Sequence, residues 1–329
     1  MVHEHHKVIH IPHDPDSAAP GKGNLTYIGN ATMLIEYGGL RILTDPAFMH
    51  SGEEVEIDDG VTAIRLTDPA MDIADLPPID AILLSHFHGD HFDPVAERGL
   101  CRTIPIVTAP GAVDDLERRG FHEVHPLDTW QWIAIRKGDA STTITAMPAR
   151  CGPAAVGLAM PDMMGSMLEF RSRPDAQPFR LYISGDTLSI SELEEIPERF
   201  ARIELGIFHL GGAKACTTMT SMDARQGIEV LETVKPARVI PIHYNDYDIF
   251  TSPLSDLRKE VSKRALQDRF IYVKHGGTHG FDVQRVNDER SMSRARPAPH
   301  RQTPSVDYIR PAMSAGLERA PIVPHTLHR

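Results

Sequence analysis

What the chain lacks narrows the field first. Its 329 residues include three cysteines, Cys101, Cys151 and Cys216, and no CxxC pair. That excludes a disulfide framework and fits a reducing compartment. No apolar run approaches the roughly eighteen residues needed to span a bilayer. The opening stretch VHEHHKVIH has no apolar core of a signal peptide. The expectation is a cytoplasmic chain without a membrane span. Positive charge is also short: 34 Lys and Arg face 45 Asp and Glu, for a net charge of −11. Such a balance argues against a general binder of the nucleic-acid backbone, so no nucleic-acid partner is expected. There is no GxSxG elbow, which removes a serine hydrolase, and no Walker A or GxGxxG pattern.

What is present centres on residues 83–93, LLSHFHGDHFD. Residues 81–84 read as a buried strand, and polar residues begin abruptly at Ser85. His86, His88, Asp90 and His91 follow within six residues, and a turning chain can aim all four at one point. Imidazole and carboxylate together suit zinc, iron or manganese. The competing reading is a solvated, His-rich turn; an apolar strand feeding directly into four ligand-type residues argues against it.

The same grammar of apolar strand, small-residue turn and ligand recurs along the chain. Residues 25–29, 31–37 and 40–44 read as a strand meander broken at Gly29-Asn30 and Gly38-Gly39, and the third run ends in Asp45-Pro46. Residues 49–78 form a long acidic insert that reads equally as a lid or a solvated loop. Asp93-Pro94 is placed to start a short helix. Residues 132–137 and 142–147 flank Gly138-Asp139 as a hairpin and deliver PARCGP, with Arg150 and Cys151. Residues 166–170 and 179–183 form a second hairpin that ends in SGDT, with Asp186. Residues 203–208 run into HLGG. A helix capped by Asp223 runs to Val234, its apolar residues three or four apart. Residues 238–242 lead into HYNDYDIF, with His243, Tyr244 and Tyr247. Residues 270–273 read as the final strand, followed by His275 and His279. Beyond residue 281, arginines and prolines alternate as an extended tail, a candidate contact between copies of a homo-oligomer.

Taken together, HFHGDH, PARCGP, SGDT and PIHYND resemble the metallo-β-lactamase-fold metal-dependent hydrolases. Within them the chain looks closest to the branch with ascorbate-6-phosphate lactonase and the phospholipase D-type N-acylethanolamine enzymes. The resemblance covers about residues 24–280. It implies an α/β fold, a four-layer αββα sandwich. The implied division is an N-terminal arm over 1–23, a hydrolase domain over 24–281 and a C-terminal tail over 282–329.

The resemblance also implies the site. One metal would be held by His86, His88 and Cys151, the other by Asp90, His91 and His243, with Asp186 touching both. Asp45, in TDP, would brace the metal loop from behind its ligands. Two divalent ions are implied, zinc first and manganese or iron as alternatives. A single ion is the other reading, because Cys151 stands where similar sequences carry His. The expected reaction is hydrolysis of a lactone or carboxylic ester by a metal-activated hydroxide, with Asp90 orienting the water or protonating the leaving group. A phosphodiesterase acting on a small or lipid-like substrate is the nearest alternative. An iron-dependent oxidoreductase and a non-catalytic metal-binding protein complete the set. The expected partner is a small molecule with an apolar portion, walled by methionines 160–167 with Tyr244, Tyr247 and Phe250. Arg150 and Lys214 are candidates to grip a carboxylate or phosphate, and His275 to stand near the site.

Overall fold

A computed structural model of the chain describes residues 7–12, 21–58, 60–152, 162–173, 176–215 and 218–284. The first half contributes strands β1 (Lys7–Ile11), β2 (Lys22–Gly29), β3 (Thr32–Tyr37), β4 (Leu40–Thr44), β5 (Glu54–Asp58), β6 (Val61–Ile64), β7 (Ala81–Leu84), β8 (Ile106–Thr108) and β9 (Val124–Pro126). Helices α1 (Pro94–Gly99) and α2 (Val113–Arg118) are interleaved among them. The second half contributes β10 (Trp132–Lys137), β11 (Ala140–Met147), β12 (Gly165–Arg171), β13 (Phe179–Ile183), β14 (Leu205–His209), β15 (Lys214–Ala215), β16 (Thr218–Met219), β17 (Arg238–Ile242) and β18 (Thr278–Asp282). Its helices are α3 (Glu195–Arg199), α4 (Ala224–Val234) and α5 (Leu254–Lys263).

Two seven-stranded sheets result, in the orders β18-β2-β3-β4-β7-β8-β9 and β1-β10-β11-β12-β13-β14-β17. Pairing is antiparallel through β18-β2-β3-β4 and β10-β11-β12-β13, and parallel at β4-β7-β8-β9, β13-β14-β17 and β1-β10. A parallel strand covered on both faces must be apolar throughout. β7, AILL, obeys this: Ala81 and Leu83 face the other sheet, while Ile82 and Leu84 face α1 and α2. Leu25, Ile35, Ile144, Leu168 and Ile207 fill the space between the sheets. Tyr182, Phe208 and Val239 pack outward on Ile196, Ile228, Leu231 and Leu257 of the second half's helices. The layers are therefore αββα, as expected from the resemblance.

Two local expectations change. Part of the expected N-terminal arm is built into the fold, because β1 pairs in parallel with β10 as an edge strand. Residues 270–273 do not form the last strand. Phe270 makes one bridge to Val239, and the stretch is apolar because Phe270 and Val273 pack into the two clusters. The closing strand is β18, which returns to pair with β2. The tail from residue 285, Cys216, Met160 and the first six residues lie outside the described residues.

The acidic insert is a structured cover. β5 and β6 pair as a hairpin, and the Gly89 N–H, inside the HFHGDH loop, donates to Ile57 O at 3.1 Å. On its other side the insert is tied to the loop after β17: the Leu66 N–H donates to Asp246 O at 2.8 Å and the Asp248 N–H to Ile64 O at 3.2 Å. Arg65 locks this junction. It is fully buried, donates to Thr67 O and to the Tyr247 hydroxyl at 3.1 Å each, and lies 5.1 Å from the Tyr247 ring centre. The close approach at Gly89 leaves no room for a side chain, since a Cβ there would sit 2.0 Å from Glu56 O and 2.7 Å from Val55 Cγ2. Gly89→Ala is expected to push the hairpin off the metal loop and to cost about 1–3 kcal/mol, the range for overpacking. Denaturant unfolding checks it, and wild-type stability would show that the contact is not tight.

Candidate metal centre

The expected ligands gather where apolar strands end. β7 runs out at Leu84 into Ser85, His86, His88, Asp90 and His91. β4 is followed at once by Asp45, and β17 by His243; β13 leads through Ser184 and Gly185 to Asp186. The exits are sharp: φ is 36° at Asp45, 61° at Gly185 and 60° at His243. Such angles are uncommon for residues bearing a side chain, and they persist only when the surroundings enforce them. At Gly185 the enforcement is steric as well, since a Cβ would lie 2.7 Å from Met164 O.

Among the described residues, one buried set brings its donor atoms within 4.8 Å of one another: Asp90, His91, Asp186 and His243. His243 Nε2 stands 3.2 Å from Asp90 Oδ2 and 3.6 Å from Asp186 Oδ2. His91 Nε2 stands 3.5 Å from Asp186 Oδ1 and 3.7 Å from Asp90 Oδ2. The outward nitrogens are held. His243 Nδ1 donates to Leu210 O at 2.9 Å. His91 Nδ1 faces Asp45 Oδ1 at 3.5 Å and Ser85 Oγ at 3.3 Å, and His86 Nδ1 lies 3.0 Å from the same hydroxyl. Asp45 Oδ1 in turn accepts from the Ser85 N–H at 2.7 Å and the Ser85 hydroxyl at 2.9 Å. A proton on each Nδ1 leaves the Nε2 lone pairs of His86, His91 and His243 aimed inward, as ligation requires.

The electrostatics call for a cation. Asp90 Oδ1, Asp186 Oδ1 and His91 Nε2 are buried without a hydrogen-bond partner. Burial disfavours the charge of Asp186, yet His243 and His91 outweigh it and hold its carboxyl well below the usual range. Burial likewise opposes the imidazolium of His91; Asp186 and Asp90 outweigh it and hold its pKa well above the ordinary value. His243 is raised by the same contest. Without a metal, the two carboxylates favour protons on the two imidazoles. Oxygen and imidazole donors, paired this closely and oriented from behind, fit a divalent ion.

The other expected site residues divide into groups. His86 and His88 stand beside the four-residue set, His86 Nε2 2.9 Å from His88 Nδ1 and the His86 ring 4.2 Å from that of His91. Cys151 is not one of the four, but it is buried and borders the same small chamber of about 40 Å³ as His86, His88, Asp90 and Asp186. Lys214 lines that chamber too. Arg150 does not: it pairs with Glu192 at 3.0 Å in an outer cleft that also touches Cys151. His275 pairs instead with Asp246 at 3.1 Å, behind the His243 loop. Tyr247 packs with Val55 and Ala63 against Arg65, and burial pushes the Tyr244 hydroxyl up to about 12. The expected methionine wall is elsewhere. Met163 and Met164 line the outer cleft, and Met167 packs beneath α4. The chamber's apolar walls are Ile57 and Val61 from the insert, with Ala213 and Ile249.

Three contributors escaped the sequence reading. Ser85 looks like a linker yet ties Asp45 to two imidazoles. Asp93 does more than cap α1 at the Ala96 N–H, for its carboxylate also accepts from the Met49 N–H at 2.6 Å and from the Phe48 N–H. His209 ends β14 fully buried, and it obeys the same grammar of apolar strand followed by ligand-type residue.

An αββα sandwich carrying a buried Asp/His centre under a small chamber defines a metal-dependent hydrolase. The chain belongs to the beta-lactamase superfamily domain family, whose profile matches residues 40–244. It is 25% identical over 254 residues to a metal-dependent hydrolase of Anaeromyxobacter sp. (strain K), covering 75% of this chain and 84% of that one. It is 24% identical over 294 residues to the mitochondrial N-acyl-phosphatidylethanolamine-hydrolyzing phospholipase D of Saccharomyces cerevisiae, covering 84% of this chain and 61% of that one. Its fold matches the crystal structure of the isothiocyanate hydrolase from Delia radicum gut bacteria with a TM-score of 0.66 and 21% identity, over 79% of this chain and 99% of that one.

Protons and metal compete for His91 and His243. Their raised pKa values favour the protonated imidazoles in the metal-free protein, so metal uptake is expected to expel protons. Zinc affinity is expected to fall as pH falls through neutrality. Calorimetry in buffers of different ionisation enthalpy should register proton release at pH 7; pH-independent binding without release would contradict the charge assignment.

Proposed function

We propose that the chain hydrolyses an ester-like bond in a small molecule with an apolar portion, a lactone or carboxylic ester ahead of a phosphodiester. The observation that carries this reading is the chamber itself, with buried carboxylates and imidazoles as its floor, Ile57, Val61 and Ile249 as its walls and Lys214 beside them. Bound divalent metal supplies Lewis acidity there and makes water a strong nucleophile near neutral pH. Asp90 is held by His243 through Oδ2, which leaves Oδ1 to receive or return a proton. At about 40 Å³ the chamber would admit only the reacting group, with Ile57, Val61 and Ile249 as apolar contacts beside it. Lys214 is the cation placed to pair with a carboxylate or phosphate on the substrate. The phosphodiester alternative draws support from the yeast relative, whose name records phospholipase D activity. The same reading places the chain nearest the lactonase and phospholipase D-type branch.

A second ion belongs to the proposal. His86 and His88 would hold it with Asp186 shared between the ions, and the Cys151 thiolate, on the same chamber, would complete its ligands. Zinc suits a site of thiolate and imidazole. The catalytic unit would span 24–281, with Lys7–Ile11 as its edge strand and the tail from 282 as a contact between copies. A cytoplasmic location fits a chain without a disulfide framework.

A panel of lactones, carboxylic esters and phosphodiesters, run on zinc-loaded protein, tests the reading. Asp90→Asn is expected to lower turnover by about 10²–10⁴-fold, the scale of losing a proton-transfer group, and His243→Ala to abolish it along with metal. Cys151→Ala should release one ion in elemental analysis and leave the other. Ester and lactone turnover undiminished in both the Asp90 and His243 variants would refute this site as the catalyst. Activity on phosphodiesters alone would reverse the substrate order.

A further inference from the structure

His209 is the anomaly behind the metal centre. Its side chain is wholly buried, and neither ring nitrogen has a hydrogen-bond partner. A neutral imidazole carries one donor and one acceptor, and burying both unpaired costs about 1–3 kcal/mol per group. Burial keeps the ring neutral, lowering its pKa to about 4. Packing alone would be served better by an apolar residue, since the strand before it is apolar to Phe208.

The ring has a definite place. Its backbone N–H donates to Ser184 Oγ at 2.9 Å, which fixes β14 beside the Asp186 turn. Its ring centre lies 5.8 Å from that of His91 and 5.5 Å from that of His243, nearly edge-on to both. Nε2 lies 3.9 Å from Asp45 Oδ2. The other oxygen of Asp45 is the one committed to Ser85 and facing His91.

We infer that His209 is a positioning residue for the metal ligand His91, acting through Asp45. With metal bound, the His209 Nε2–H donates to Asp45 Oδ2 while Oδ1 accepts from Ser85 and from His91 Nδ1. The carboxylate is then gripped on both oxygens, one by each half of the fold, and cannot rotate away from His91. Closing the 3.9 Å gap to a hydrogen bond of about 2.7–3.2 Å needs a shift of about 0.7–1.2 Å. Outer partners of this kind set ligand orientation, and their loss typically weakens metal binding about 10–100-fold. The inference uses only the metal centre and stands whatever the substrate.

Two variants and one structure test it. His209→Phe keeps a buried ring without a donor, and His209→Gln restores a donor at the Nε2 position. Zinc affinity is read by competition with a chromophoric chelator, the ligand field by the visible spectrum of the Co(II)-loaded protein, and the fold by melting of the metal-free protein. His209→Phe should bind zinc about 10–100-fold more weakly with a changed Co(II) spectrum, and His209→Gln should stay within about threefold of wild type. Wild-type affinity and spectrum in the Phe variant would overturn the inference, as would an equal loss in both variants. Should either variant fail to fold, a crystal structure of zinc-loaded wild type decides: Nε2 to Oδ2 within about 3.2 Å supports it, and a separation beyond about 3.5 Å overturns it.

Discussion

Two carboxylates sealed from water and facing the same imidazoles are the constraint on which the structure turns. Asp90 and Asp186 each leave an oxygen unpaired in a buried space. Removing a carboxylate from water costs several kcal/mol unless positive charge arrives beside it. His91 and His243, whose pKa values are raised, can supply that charge by taking up protons, and a divalent ion would replace those protons with more concentrated charge. Much of the site's surroundings can be understood as managing this demand. Asp45 and Ser85 orient His91, Leu210 O orients His243, and Ile57 and Val61 of the insert line one side of the chamber.

The four-residue cluster draws on both halves of the sandwich. Asp90 and His91 leave the first sheet, with His86 and His88 beside them; Asp186 and His243 leave the second. Neither sheet can form the centre alone, so metal bound across the seam would stabilise the docked pair, increasingly as its free concentration rises above the dissociation constant. Asp90 reaches His243 across that seam, and Asn30, from the first sheet, donates to Asp90 O while its own carbonyl accepts the His243 N–H. Buried Arg65, Tyr247 and Asp246, with half-buried His275, tie the same seam together one layer farther out. This explains why an arginine can be wholly buried here: it joins the cover to the loop that carries His243.

The fold and most of the centre were legible because parallel strands buried on both faces must be apolar, and ligands begin where those strands stop. HFHGDH, SGDT and PIHYND announce themselves by that change of chemistry. What escaped was whatever depends on contacts distant in sequence. The insert 49–78 is acidic on its exposed side, which hid Ile57 and Val61 on the chamber side. Residues 270–273 are apolar for packing and imitate a strand. The methionines suggested a wall, but Met167 alternates to the helix-facing side of β12 and cannot reach the chamber. His209 passed unweighed because its role depends on Asp45, over 160 residues earlier in the chain. Cys151 remains the place where the local sequence departs from the resemblance, and it borders the chamber without joining the tight four-residue set.

The central claim is that Asp90, His91, Asp186 and His243 together hold a metal. Anomalous diffraction from crystals of the zinc-loaded protein, recorded on both sides of the zinc edge, tests it most directly. The account predicts a strong peak within about 2.0–2.2 Å of a donor atom from each of these four residues. A zinc peak confined to surface histidines, with the four donors still paired only to one another, would contradict it.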